Sequence, residues 1–353
     1  DFIKVAPGAE AAAVAGVALT AKSVILVGER ASESAGLISA AVALAEKTGA
    51  KLAWIPRRAG ERGALEAGAF PTLLPGGRPV ADSAARVDIA AAWGVDSLPA
   101  TPGRTTHQII EALGNGELDS VVVGGVDAHD LLHSRKVLDV LKNSFVVSLE
   151  IATSSVTEVA DVVLPVAAVT EKSGSFLNWE GRARAFDAAV SDSLNRSDVR
   201  ILSALADAMG ESIMLGTVSA TAREFAQLGK WDGARVPFAP VAAGSAPAAS
   251  GDQAILTSWR RLLDMGTMQR GEDNLAGTRR QTVAVISEKR AASAGVVTGD
   301  QVRISNAHGS ITLPVLVEDI HDDAVWIPRN SFGSQALTAL DAVHGELVTV
   351  VKA

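Results

Sequence analysis

The chain has 353 residues, a formal net charge of −8 and no cysteine. An acidic chain lacks the basic face that binding to a nucleic-acid backbone requires, so no nucleic-acid partner is expected. Without thiolates these residues cannot ligate an iron–sulfur cluster or build a cysteine-type zinc site. The longest apolar runs fall far short of the ~20 residues that span a bilayer, so no direct membrane insertion is expected. The first residue is Asp rather than Met, and we expect the chain to be a piece of a longer protein.

Helical and strand patterns alternate through residues 1–212. Repeated β-α-β order implies parallel strands, so we predict an α/β domain with a doubly wound, mostly parallel sheet. The scattered Gly and Pro residues of 57–102 predict an irregular segment. The predicted helices are 10–19, 35–47, 105–113, 131–141, 154–159 and 197–209, and the predicted strands are 23–27, 51–55, 120–123, 145–149 and 162–164.

The chain changes character after residue 212. Residues 213–277 are predicted to form a helical and linker segment, because 239–251 is rich in Ala, Pro, Gly and Ser and typical of a flexible linker. Residues 278–353 carry several short β-type runs, which favour a small closed β-barrel domain. The predicted helices are 217–228, 253–264 and one near Ala291, the predicted strands are 283–286, 301–305, 311–317, 325–327 and 347–351, and Gly309 marks a hairpin.

Two histidines four residues apart, His129 and His133, lie near Asp127 and Asp130. On a helix they could share one face and bind a metal ion, because residues i and i+4 are neighbours. The alternative is a polar loop and helix start after a strand, with one of the two aspartates as the N-cap. No further ligand is suggested nearby, so no metal site is expected.

Residues 160–184 are the most informative stretch. The apolar run 162–164 is typical of a buried strand, and a polar segment follows it, where an open α/β sheet binds ligands. Within that segment Glu171 and Glu180 could form a catalytic acid/base pair. Carboxylates that alternate with cations are more typical of a salt-bridged network, so no catalytic residue is expected.

The sequence ADVVLP at 160–165, followed by EKSGSFLNWEGRAR at 171–184, resembles the signature of the molybdopterin oxidoreductase superfamily. Residues 295–328 resemble the double-psi β-barrel that closes these proteins. The resemblance implies a dimethyl-sulfoxide-reductase-like fold, in which a double-psi-type β-barrel follows the α/β domain. Within the superfamily, residues 178–182, 254–266 and 275–278 resemble the G-subunit family of bacterial NADH-quinone oxidoreductase, the respiratory complex I.

Two segments depart from the superfamily pattern. The G-x-N-P turn reads Gly-Val-Asp-Ala at 125–128, and the T-x-T segment reads Ser-Ser-Val at 154–156. Asp in place of Asn puts a negative charge near phosphate or guanine groups, and Val156 in place of a hydroxyl residue removes a hydrogen bond. The resemblance therefore implies that molybdopterin is absent and that the pocket is vestigial. Its residues are Gly124, Gly125, Asp127, Ser154, Ser155, Asn178 and Arg182, of which Arg182 is expected to pair with buried carboxylates as part of a structural framework.

The resemblance implies a non-catalytic scaffold, the C-terminal region of the large iron–sulfur subunit, which supports electron transfer from NADH to quinone coupled to proton pumping. Iron–sulfur clusters are expected in a missing N-terminal half. Other peripheral-arm subunits are the expected partners, on the cytoplasmic side of the inner (plasma) membrane. One alternative is a fragment of a molybdenum-bis(pyranopterin guanine dinucleotide) oxidoreductase such as a formate dehydrogenase. Another is an α/β protein that binds a different small molecule.

Overall fold

The computed structural model describes residues 2–178, 180–213 and 217–353. These residues fall into two compact units. The barrel unit comprises Asp1–Ile55, Asp127–Lys136 and Pro240–Ala353, and the βα unit comprises Pro56–Val126 and Val137–Ala239. Each unit is therefore built from segments that are distant in sequence, whereas the sequence predicted consecutive domains at 1–212, 213–277 and 278–353.

The regular elements are numbered in chain order. The helices are Glu10–Ala15 (α1), Leu37–Thr48 (α2), Glu61–Glu66 (α3), Ser83–Trp93 (α4), Thr106–Gly114 (α5), Ser134–Lys142 (α6), Asp198–Ala208 (α7), Val218–Gln227 (α8), Asp273–Ala276 (α9) and Glu288–Ala294 (α10). The strands are Val24–Gly28 (β1), Lys51–Ile55 (β2), Leu73–Leu74 (β3), Arg78–Pro79 (β4), Ser120–Gly124 (β5), Phe145–Glu150 (β6), Val162–Pro165 (β7), Gly174–Leu177 (β8), Ala183–Phe186 (β9), Gln253–Trp259 (β10), Ala284–Ile286 (β11), Gln301–Ser305 (β12), Ser310–Val317 (β13), Ala324–Pro328 (β14), Asn330–Ser331 (β15), Ser334–Gln335 (β16) and Leu347–Lys352 (β17).

The α/β strands are parallel, as predicted. β1 pairs with β2 in the barrel unit, and β5, β6 and β7 form a three-stranded parallel sheet in that order in the βα unit. The strands thus belong to two sheets rather than to the single doubly wound sheet that their alternation suggested. Between β2 and β5 the chain forms helices and the short β3–β4 hairpin, so the first two strands are not joined to the later three by a simple crossover.

Local signals mark the ends of two predicted helices. Gly49 adopts a left-handed φ of 73° and closes α2, its N–H bonded to the carbonyl of Ala45. α5 begins with a capping box, in which the Thr105 hydroxyl accepts from the Gln108 N–H and the Gln108 side chain accepts from the Thr105 N–H. Two N–H groups that would otherwise lack a partner are thus satisfied reciprocally at the start of the helix predicted over 105–113.

Two local predictions in the βα unit were wrong. Residues 57–102 contain α3 and α4 rather than an irregular segment. Asp82 caps α4, and Ile89 within this helix is fully buried. Residues 154–159 form turns rather than a helix. There the Ser154 N–H donates to Thr157 Oγ1 at 2.7 Å, and short hydroxyl side chains of this kind compete with helical backbone bonds.

The C-terminal strands close into a barrel with the order β10-β14-β11-β13-β12-β17. β10 is parallel to β14 and β11 is parallel to β13, while the remaining neighbours are antiparallel. Alternate residues of each strand point inward and form the core. These include Leu256, Ile286, Val302, Ile304, Leu313, Val325, Ile327, Val348 and Val350. The predicted barrel is confirmed.

The predicted helix at 253–264 was wrong, because residues 253–259 are strand β10 of this barrel. A short apolar run fits both periods, and here the consecutive buried residues 254–256 belong to a strand that is covered on both faces. The predicted linker at 239–251 has no regular structure, but it packs along α2. The Val241 N–H donates to Ser39 Oγ at 2.9 Å, and a Cβ at Gly36 would lie 2.5 Å from the Cα of Ala243. Glycine at position 36 permits this approach and also the local φ of 76°.

Hydrophobic helices long enough to cross a bilayer do not occur among the described residues.

Candidate functional site

The residues of the predicted vestigial pocket are divided between the two compact units. Asp127 belongs to the barrel unit, and the other six belong to the βα unit. Gly124 ends strand β5, and Gly125 follows with a left-handed φ of 63° and an N–H bonded to the Leu149 carbonyl at 3.1 Å. This turn at the carboxyl end of a parallel strand lies where α/β sheets carry their ligand loops.

The serines of the 154–156 segment are largely buried. Ser154 is 6% exposed, and its hydroxyl accepts from the Thr157 N–H at 3.3 Å. Ser155 is also buried, and Val156 is only 1% exposed. The hydroxyl of Ser154 is therefore used by the local turn, and the apolar side chain of Val156 is part of the core.

Asn178 and Arg182 flank the turn of the β8–β9 hairpin. The Asn178 side-chain oxygen accepts from the Arg182 N–H at 2.9 Å, and the Asn178 N–H donates to the Arg182 carbonyl at 3.1 Å. Arg182 Nε lies 3.1 Å from Glu180 Oε2, with the two side chains 65% and 45% exposed. The expectation that Arg182 pairs with buried carboxylates was wrong, because its partner is exposed to solvent.

Glu171 has a different role from Glu180. Its carboxylate accepts from the Ser193 hydroxyl at 2.7 Å, the Ala168 N–H at 2.7 Å and the Asn195 amide at 3.2 Å. The Ser193 hydrogen bond, followed by those from Ala168 and Asn195, holds the pKa of Glu171 below its ordinary value. A carboxylate kept ionised by three donors fastens a loop and is a poor proton donor near neutral pH, so it does not suit an acid/base pair.

The two histidines contact different aspartates. His129 lies in a single 3₁₀ turn, where its N–H donates to Asp127 Oδ1 at 3.0 Å, while His133 Nδ1 lies 3.0 Å from Asp341 Oδ2. The two do not share a helix face, since α6 begins only at Ser134. Asp127 caps the 3₁₀ turn, which confirms the polar-loop interpretation. Within the described ranges no group of three or more metal-ligating side chains occurs.

A cavity of about 540 Å³ in the barrel unit is lined by Asp127, His129 and Asp130, together with residues from 264–276 and 330–338. Arg270 lies 3.6 Å from Asp127 Oδ2, and Arg260 pairs with Asp130 at 2.6 Å. The negative charge of Asp127 is thus balanced within its own unit. Arg270 follows the segment predicted to be a helix, and nothing in its local sequence signals a partner 143 positions earlier.

Family models for molybdopterin oxidoreductase and for the molydopterin dinucleotide binding domain match residues 9–208 and 255–349. The chain belongs to the molybdopterin oxidoreductase family. The two matched regions lie on either side of the 239–251 segment. The second of them spans the barrel strands β11 to β14 completely, most of β10 and half of β17, in agreement with the closed barrel of the structure.

Several relatives align with nearly the whole chain. The NADH-quinone oxidoreductase G subunit of Mycobacterium tuberculosis is 47% identical over 99% of this chain and 45% of its own length. The corresponding G subunit of Streptomyces coelicolor is 46% identical over 93% of this chain and 40% of its own length. The present chain therefore spans less than half the length of these curated relatives.

Among solved structures, acetylene hydratase from Pelobacter acetylenicus matches with a TM-score of 0.50 and 15% identity, over 76% of this chain and 49% of that one. At this identity the likeness establishes the fold alone. The family fold is therefore supported both by sequence and by structure, whereas the vestigial-pocket residues named above have local partners of their own.

Proposed function

We propose that this chain is a scaffold region of the G subunit of an NADH-quinone oxidoreductase, supporting electron transfer from NADH to quinone coupled to proton pumping. The observation that carries the proposal is the 47% identity with the mycobacterial protein over 99% of the chain. Because the identity extends over nearly the whole chain, we infer the role of the G subunit rather than the role of a more distant relative. In this role the chain contributes no catalytic residue of its own.

We further propose that no molybdenum-pyranopterin nucleotide binds at the 124–127 turn. Such a nucleotide carries phosphates and a guanine, which need donors and hydroxyl groups around them. Here the position after Gly125 and Val126 holds the carboxylate of Asp127, Val156 is buried, and the Ser154 hydroxyl is engaged by Thr157. The residues present therefore fit the nucleotide poorly. Iron–sulfur clusters would be held outside these 353 residues, which include no cysteine.

The partners in this proposal are other subunits of the peripheral arm, and the location is the cytoplasmic face of the inner membrane. Elements that brace a complex need to be rigid. The closed barrel supports that role, because its strands are hydrogen-bonded to neighbours on both sides. The loop at Glu171, whose carboxylate accepts three hydrogen bonds, and the capping box of α5 support it as well.

Elemental analysis of the purified native complex tests the proposal. We expect iron in the amount set by its clusters, NADH-quinone reductase activity, and molybdenum far below one atom per complex. Molybdenum at one atom per complex, retained through gel filtration, would overturn the scaffold proposal in favour of a formate dehydrogenase-like molybdenum enzyme. The matched control is the same complex from cells grown with tungstate, because tungsten replaces molybdenum only where a pyranopterin site exists.

A further inference from the structure

The parallel sheet of β1 and β2 in the barrel unit has only two strands among the described residues, and part of its apolar surface is exposed. Leu26 of β1 is 66% exposed, and Trp54 of β2 is 45% exposed. Parallel sheets are normally covered on both faces, and sheets usually have about four to six strands. This sheet therefore lacks the neighbours that its apolar residues require.

The outer edge of β1 carries backbone groups that point away from β2. The Ser23 carbonyl accepts from the Lys51 N–H at 3.0 Å, and successive residues of a paired strand direct their backbone groups to opposite sides. The N–H and C=O groups of Val24 and Leu26 therefore point to the outer side. No strand pairs with β1 on that side within the described ranges, so these groups are available to another strand.

The two edges of the sheet differ in charge. β1 reads Val-Ile-Leu-Val-Gly and contains neither a charged residue nor a proline, whereas β2 begins with the exposed Lys51. Natural proteins protect their sheet edges from pairing with charged residues, especially Lys, or with Pro. β2 thus has a feature of a protected edge, while β1 has the composition of a strand that pairs on both sides.

A cleft of about 420 Å³ borders β1 in the barrel unit. Its apolar walls come from β1, from Val14 of α1 and from Leu37 and Ala41 of α2, and no residue of β2 lines it. The carboxylate of Glu10, which also borders the cleft, already accepts from the Ser34 hydroxyl at 2.6 Å. The cleft therefore offers mainly apolar surface beside the outer edge of β1, and this surface suits a strand with apolar side chains.

We propose that β1 pairs along its outer edge with a further parallel strand, supplied by a part of the G subunit outside these 353 residues. This inference rests on the proposed function, because the comparison with G subunits identifies the source. The G subunit of Mycobacterium tuberculosis matches 99% of this chain over only 45% of its own length, so more than half of that protein lies outside the match. The added strand is apolar over about five residues, the length of β1, because an inner strand of a parallel sheet is buried on both faces.

Photo-cross-linking in the native complex tests the source of the strand. Leu26→p-benzoylphenylalanine places a photoreactive group in the cleft, and mass spectrometry identifies the cross-linked peptides. We expect cross-links to a segment of the G subunit outside these 353 residues. Val297, which is 67% exposed in the same unit, is the matched control position and should not cross-link to that segment. Cross-links from position 26 to residues 56–239, to a second copy or to a different subunit would overturn the proposal.

Hydrogen exchange in the same complex, measured at single-residue resolution, tests the pairing itself. By the alternation described above, the amide of Val27 faces β2 and that of Leu26 faces the outer side. With a strand on both sides of β1, the two amides should exchange within about tenfold of each other. Exchange at Leu26 that is more than about tenfold faster would show an unpaired edge and overturn the proposal. This measurement uses the unsubstituted protein, so it decides the pairing even if the Leu26 variant does not assemble.

The added strand and the proposed function can fail separately. A complex that has NADH-quinone reductase activity and lacks molybdenum, but in which Leu26 exchanges as an unpaired edge, overturns the added strand and leaves the scaffold function standing. A complex that holds one molybdenum atom, and in which position 26 cross-links to a segment of the same polypeptide outside these 353 residues, overturns the scaffold function and supports the added strand.

Discussion

Arg329 and Glu33 form a two-point ion pair inside the barrel unit. Arg329 Nη1 donates to Glu33 Oε1 at 3.2 Å, and Nη2 donates to Oε2 at 2.6 Å. The side chains are only 14% and 23% exposed, and the guanidinium also lies 5.2 Å from the ring centroid of Trp259. The pair joins the end of the barrel strand β14 to the turn after β1, two segments that are far apart in the sequence.

Replacing Arg329 with Ala should lower the free energy of unfolding by about 3 kcal/mol, because it leaves the Glu33 carboxylate unpaired in a largely buried position. Urea denaturation followed by circular dichroism measures the change. Lys142→Ala removes a lysine whose contact with Asp139 is exposed, and it should change the same quantity by less than about 0.5 kcal/mol. Equal effects of the two substitutions would contradict a stabilising role for the pair.

Leu256→Ala should destabilise the protein by about 2–5 kcal/mol, because Leu256 is fully buried in the barrel core and its truncation leaves a cavity. Leu262→Ala is the matched control, since Leu262 is 90% exposed and its loss should change stability by less than about 0.5 kcal/mol. A helix over 253–264 would have placed both leucines on or near one face. Similar costs at the two sites would therefore favour that helix over strand β10.

His344 makes stability depend on pH. Burial lowers the pKa of His344 below its ordinary value, and the carboxylates of Glu10 and Glu33 oppose this shift only in part, while Arg329 and Arg30 add to it. The unfolded chain then binds the proton more tightly than the folded chain. Stability from this residue is present above about pH 6.5, the ordinary pKa of histidine, and is lost as the pH falls below that value.

Replacing His344 with Gln should flatten the fall in urea midpoint between about pH 7.5 and pH 5, compared with the unsubstituted protein. His107→Gln, which removes a histidine with a 70% exposed side chain, is the control, and its urea midpoint should fall with pH as in the unsubstituted protein. If the urea midpoints of both variants fall equally, a group other than His344 is responsible for the loss of stability in acid.

The hairpin turn between β8 and β9 should depend on Asn178 more than on Arg182. Asn178→Ala removes the acceptor of the Arg182 N–H and should cost about 1 kcal/mol. Arg182→Ala removes only a solvent-exposed contact with Glu180, and a change below about 0.5 kcal/mol is expected. Thermal unfolding of the two variants shows which substitution is more destabilising. A larger loss for Arg182→Ala would restore the buried-network interpretation.

Local signals accounted for much of the fold. The β-branched runs at 120–123 and 145–149 correspond to parallel strands, and Gly49 ends a helix, because these features act within a few residues of the chain. The helix Ser83–Trp93 was missed although Asp82 offered a cap, since the surrounding Gly and Pro residues outweighed a short helical pattern. The site was less readable, because the partners of Asp127, Glu171 and Arg182 could not be inferred from residue type.

The family, the α/β class and the closed barrel could all be inferred from the order of the residues, since motif, alternation and turn chemistry are local properties of the chain. The division into two discontinuous units and the place of 253–259 in the barrel emerged only in three dimensions. The same holds for the burial of charges: Arg329 and Glu33 meet inside one unit, whereas Arg182 and Glu180 stay in solvent. Burial and pairing depend on contacts between distant segments, and a periodicity along the chain carries no information about those contacts.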